Sequence, residues 1–212
     1  MRLEQVAAAA VLAAVVVVAT VAPAIAYVNG SRYASIRCTT TCGQQDYKNW
    51  CGVASTHAVL HKLGINVAQG TLASRYGVGK ANGSAVAIEH IPRVLAVYVK
   101  RFPYVAIART SIASVSRMMN VAQYAVDNGH LAIPCVNPYP WGRSPGLPTY
   151  SGAKQGGHYL VVRGYNYTTR VQNIYYWDPH YDATHYGNHL ATASAFWKCM
   201  YYKTWGSQGV VY

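Results

Sequence analysis

The chain has 212 residues, 52% of them hydrophobic and 11% charged, which excludes a disordered chain and allows one domain with a real core. Eighteen Lys and Arg against six Asp and Glu give a formal net charge of +12. Only Lys100 and Arg101 are adjacent, so no basic stripe marks specific nucleic-acid binding. The surplus charge fits either attraction to anionic cell-surface polymers or simple colloidal stability.

Residues 1–26 read as an export signal. Arg2 opens the segment, an apolar or small-residue run extends from Val6 to Val21, Pro23 ends it, and Ala24-Ile25-Ala26 has the small-x-small pattern of a cleavage site. The alternative is an uncleaved anchor. With cleavage, residues 27–212 form a single domain with no stable membrane span, expected to be a monomer.

Five cysteines stand at 38, 42, 51, 135 and 199. An odd number in an exported chain implies one free thiol. If Cys51 is that thiol, four remain to pair: Cys38 with Cys42 locally and Cys135 with Cys199 over a long span is one of three pairings, and the sequence does not choose among them. Buried, unpaired thiols are the alternative.

Residues 27–43 are polar and rich in turn formers, and are expected to wrap the domain. Apolar residues at helical spacing predict helices over 51–63, 68–76, 88–99 and 115–128, with Gly64 and Gly129 as stops. Leu131 to Val136 predicts a strand. Residues 137–157 are rich in Pro and Gly and predict a long loop of a length that is often functional, whose Pro138-Tyr139-Pro140-Trp141 stretch suits either a subsite wall or simple packing. Two strands, over 158–165 and 171–177, are expected to pair through a connection near 166–170. Ser194 is expected to cap a last helix from Ala195 to about Tyr202. Helices first and an antiparallel sheet second make an α+β domain.

Three segments carry candidate chemistry. In Gln45-Asp46-Tyr47-Lys48-Asn49-Trp50-Cys51-Gly52, the cysteine falls at a helix N-terminus, where free N–H groups and the helix dipole favour thiolate and can hold an oxyanion. Gln45 lies upstream as a second oxyanion donor; Gln44 competes for that role. In Gly156-Gly157-His158, the histidine opens a strand after two glycines, placed to take a proton. In Tyr175-Tyr176-Trp177-Asp178-Pro179, Asp178 ends the next strand, within reach of His158 if the two strands pair.

A glutamine, five residues, then Cys-Gly entering a helix, followed by Gly-Gly-His on a strand and a strand ending in Asp-Pro, resembles the bacteriocin-processing, double-glycine leader peptidases and still more their secreted free-standing relatives. The resemblance runs from about Gln45 to Trp205. It implies a papain-like fold with Cys51 as nucleophile, His158 as base, Asp178 as orienting group and Gln45 in the oxyanion hole, hydrolysing peptide or protein substrates without a cofactor. Val53 departs from the pattern, standing where many relatives have Pro. A binding protein that keeps the fold without turnover, and a wall amidase or transglutaminase-like acyl transferase, are the alternatives.

Two metal readings rank below this one. His57 and His61 are spaced i, i+4, but no Glu of the metalloprotease pattern accompanies them. Asp178, His180, Asp182, His185 and His189 form a denser loop cluster, expected to be solvated polar groups.

Overall fold

The structure is a computed structural model describing residues 30–33, 43–80, 85–139, 146–150, 156–168, 170–201 and 209–212. The expected export segment, Cys38, Cys42, Trp141 and most of the long loop lie outside the described residues. No helix among the described residues is long and apolar enough to cross a membrane.

In chain order the elements are β1 (Gly30–Tyr33), α1 (Cys51–Lys62), α2 (Gln69–Tyr76), α3 (His90–Tyr98), β2 (Ala106–Ala108), α4 (Val115–Asp127), β3 (Ile133–Val136), β4 (His158–Tyr159), β5 (Val161–Tyr167), β6 (Gln172–Asp178), β7 (Gly187–Thr192), α5 (Ala193–Tyr201) and β8 (Gly209–Val211). All strand pairings are antiparallel, in the orders β1-β5-β6-β7 and β2-β8-β3-β4. The two sheets meet where Leu160 donates to Pro134 O at 3.1 Å and Val162 to Ala132 O at 2.8 Å. The α+β class expected from the sequence is the observed one.

Side chains along a strand point alternately to opposite faces. Tyr159, Val161, Trp177, Ile133 and Cys135 pack on one side, against α1, α2 and α3. Leu160, Val162, Tyr176, Ile174 and Val136 pack on the other, against α4 and α5. Each sheet face therefore carries its own core.

That division rules out a disulfide between Cys135 and Cys199, one of the three pairings the sequence allows. Cys135 lies in the first core and Cys199, on α5, in the second; both are buried free thiols. The Cys199 thiol donates instead to Pro138 O at 3.8 Å, and burial pushes both thiols up to about 12. A parity argument over five cysteines does not see which sheet face each one occupies.

The last helix begins two residues earlier than expected. Ser194 is inside α5, and the Thr192 hydroxyl accepts from Ala195 N–H at 3.2 Å in its place. Ser114 caps α4 by accepting from Arg117 N–H at 3.1 Å.

Candidate active site

Cys51 is the first residue of α1, and its sulfur is buried at the sheet face. The approach is close because residue 52 lacks a side chain. A Cβ at Gly52 would meet Val86 Cβ at 2.9 Å and the Tyr159 ring at 3.1 Å. Helix and strand therefore touch through a glycine, bringing Cys51 beside His158 and the backbone of Tyr159 on β4.

His158 opens β4 and Asp178 closes β6. The β5–β6 pairing sets Val161 opposite Trp177, which places the two functional side chains side by side at one end of the sheet. His158 Nε2 donates to Asp178 Oδ1 at 2.7 Å, and both groups are buried. Nδ1 of the same ring is left for the hydrogen bond with Cys51.

The electrostatics follow from this geometry. Burial alone would push the Cys51 thiol up, but the hydrogen bond and positive charge of His158, with the N–H groups of Tyr159 and Gly52, outweigh it and hold Cys51 below its ordinary 9.0. Burial would lower His158, yet the charge and hydrogen bond of Asp178, helped by Cys51, raise it to about 10. Asp178 has no solvent exposure and would by burial be harder to ionise. His158, the Tyr150 hydroxyl and the His180 N–H hold it below its ordinary value instead. Together these shifts favour thiolate beside imidazolium, with a carboxylate behind.

Asp178 is the best-supplied acceptor in the site. Besides His158, Oδ1 accepts from His180 N–H at 2.8 Å and Oδ2 from the Tyr150 hydroxyl at 2.8 Å. A buried carboxylate stripped of such donors costs several kcal/mol, so these bonds are what permits a charge here.

Gln45 is buried, whereas Gln44 donates to Tyr181 O at 3.3 Å in an exposed bond. Gln45 is the one of the two that lines the cleft. Its loop is pinned from two directions. Gln45 N–H donates to Pro179 O at 2.7 Å, just past Asp178, and the Gln69 amide at the start of α2 bonds to both neighbours, Gln44 O and Asp46 N–H. The Gln45 side-chain amide donates both hydrogens to carbonyls, Tyr47 O at 2.9 Å and Lys48 O at 2.8 Å. Its Oε1 is buried with no partner among the described residues.

Gln45, Cys51 and His158 open onto a cleft of about 450 Å³, lined also by Lys48, Tyr150, Gly156 and Tyr181. Sequence reasoning missed Tyr150 and the Tyr159 N–H. Tyr150 sits in a Pro- and Gly-rich loop, one of 19 tyrosines, and nothing local sets it apart.

Histidines of the two metal readings make hydrogen bonds in the structure. His57 Nδ1 pairs with Val67 O at 2.7 Å, His189 Nε2 with His185 O at 2.7 Å, and His180 Nδ1 accepts from Asp182 N–H at 3.0 Å. Among the described residues no group of three His, Cys, Asp or Glu is arranged to hold a metal ion.

A cysteine at a helix N-terminus, packed on antiparallel strands that bring a histidine and a carboxylate to it, defines a papain-like cysteine peptidase fold. The model of the Peptidase_C39 like family matches residues 38–210, and the chain belongs to that family. Among solved structures it is similar to the proform of the Amb a 11 cysteine protease, a major ragweed pollen allergen. One such structure has a TM-score of 0.49 at 9% identity, covering 88% of this chain and 66% of that one. A second, of the same protease, has a TM-score of 0.48 at 10% identity, covering 88% and 60%. The chain thus spans less than two thirds of the length of those proteins. No curated protein matches it.

Proposed function

We propose that this chain is an exported peptidase in which Cys51, His158 and Asp178 act as a triad, and that residues 1–26 are removed on export. The observation that carries the reading is the 2.7 Å bond from His158 Nε2 to Asp178 Oδ1, with Nδ1 turned to a cysteine at a helix N-terminus.

The chemistry follows from the favoured charge state. The Cys51 thiolate attacks the scissile carbonyl carbon, and the carbonyl π-pair moves to oxygen. The His158 imidazolium gives its proton to the leaving amine as the C–N bond breaks, leaving a thioester and neutral imidazole. His158 then takes a proton from water, which attacks the thioester and expels the thiolate, so the carboxylate product leaves and the ion pair is restored. Asp178 makes and breaks no bond in this cycle; it holds the ring and offsets its charge.

The oxyanion forms beside the sulfur, where the Cys51 N–H at the start of α1 is the nearest donor. For Gln45 to serve as the second donor, its amide exchanges one of its bonds, to Tyr47 O or Lys48 O, for the oxyanion. Gln45→Ala is therefore expected to lower kcat by roughly 10²-fold, the smaller end of what losing one oxyanion donor costs, with KM little changed. A peptide library supplies the substrate for this measurement. A variant with wild-type kcat would leave the helix N-terminus as the sole oxyanion site. A library with no cleaved member would count against turnover and favour a binding protein of this fold.

A further inference from the structure

Tyr150 takes no part in the steps just described, yet it is buried beside Asp178 and His158. We propose that Tyr150 is a positioning residue, its hydroxyl clamping Oδ2 of Asp178 so that Oδ1 stays aimed at His158 Nε2. The inference rests on the triad reading and deepens it.

The clamp is built from both ends. On the carboxylate, the Tyr150 hydroxyl donates to Oδ2 at 2.8 Å, while Oδ1 takes His158 Nε2 and His180 N–H. With one oxygen held, the carboxylate cannot rotate about its Cβ–Cγ bond without breaking a bond made in the dry interior. The tyrosine ring is fixed in turn. It stacks on His185 at 4.2 Å between centroids with an interplanar angle of 24°, and meets His180 edge-on at 6.0 Å. Its backbone N–H donates to Leu147 O at 3.1 Å, and Leu147, buried in the second core, donates to Pro138 O at 2.8 Å. Thr149 just before it has φ of 73°, a left-handed conformation that β-branched residues seldom adopt. The turn that delivers Tyr150 is thus held against local preference by its surroundings.

The groups that face Asp178 are His158, with Cys51 beyond it, Tyr150, the His180 N–H and Tyr176. Of these, only His158 and Tyr150 bond to the carboxylate through a side chain. Removing the hydroxyl leaves Oδ2 without its donor on a fully buried side chain. The carboxylate then turns or takes up a proton, and either change weakens its hold on the imidazolium and so on the thiolate. Tyr150 also lines the cleft, so a direct contact with substrate is the rival role.

A substrate-free measurement separates the two. The rate of Cys51 alkylation by iodoacetamide, resolved by peptide mass spectrometry, is followed against pH in the full chain, in Tyr150→Phe, in Asp178→Ala and in the double variant. Phe keeps the ring and its stacking on His185. Tyr150→Phe is expected to move the acid limb up by about one pH unit, so that alkylation at the foot of the limb slows about tenfold. In the Asp178→Ala background the same substitution is expected to change nothing further. A wild-type profile in Tyr150→Phe, or a shift of the same size without Asp178, would overturn the proposal. A wild type whose Cys51 reacts only near pH 9 would instead overturn the triad reading beneath it.

Discussion

Cys51→Ala is expected to abolish turnover while the fold survives. Losing the nucleophile of a triad costs roughly 10⁶-fold in kcat in the best-studied cases, because the remaining groups have no bond to make. The structure says why the fold should tolerate the change. Cys51 is the first residue of α1, where alanine is a good helix former, and only one sulfur is removed. His158 keeps its bond to Asp178, and the contact of Gly52 with Val86 and Tyr159 is untouched. The expected result is an inactive protein whose melting temperature moves by a few degrees at most. Turnover near the wild-type rate would remove Cys51 from the mechanism.

The second large effect separates His158 from Asp178. His158→Ala removes both the proton carrier and the positive charge that holds the thiolate, and is expected to cost roughly as much as losing the nucleophile. Asp178→Ala leaves the His158 ring present but unoriented and without the carboxylate that favours its charge, with Tyr150 and His180 N–H lacking an acceptor, and is expected to cost about 10³-fold or more. Asp178→Asn is different. Its carbonyl oxygen takes the place of Oδ1 and accepts from both His158 Nε2 and His180 N–H. Its amide takes the place of Oδ2, where the Tyr150 hydroxyl changes from donor to acceptor. Every bond of the network is kept and only the charge is lost, so activity within about 10²-fold of wild type is expected. The ordering to be measured in kcat/KM is His158→Ala worst, then Asp178→Ala, then Asp178→Asn. If Asn were as damaging as Ala, charge rather than orientation would be the contribution of Asp178.

What was legible in the sequence follows the physics of each signal. The helix starting at Cys51 shows itself by apolar spacing and a glycine stop, and the observed α1 ends one residue before the expected bound. The stretches carrying His158 and Asp178 are short apolar runs, and the pairing of β5, which follows directly after His158-Tyr159, with β6 is what brings the two side chains together. Other strands were silent. β7, Gly187–Thr192, is an edge strand with mostly polar, half-exposed residues, so no apolar alternation announces it. β2 and β8 are three residues each, too short for any period, and exist because they pair with each other and β8 with β3. β1 falls in a stretch read as turns and is a strand only because β5 offers it a partner. The cysteines taught the sharpest lesson, since pairing depends on which face of the sheet each thiol occupies and counting cannot reveal that. Tyr150 was illegible for a related reason, because a loop residue acquires its role from what it meets in space.

The central claim is that His158 holds Cys51 as a thiolate at neutral pH, and iodoacetamide labelling of Cys51 tests it most directly. Buried Cys135 and Cys199, both raised to about 12, should stay unreactive and serve as internal references. The account predicts rapid labelling of Cys51 in the wild type at pH 6 to 7, well below the ordinary thiol value of 9.0, and a labelling limb displaced upward in His158→Ala. Labelling of the wild type that rises only near pH 9, with His158→Ala indistinguishable from it, would contradict the account.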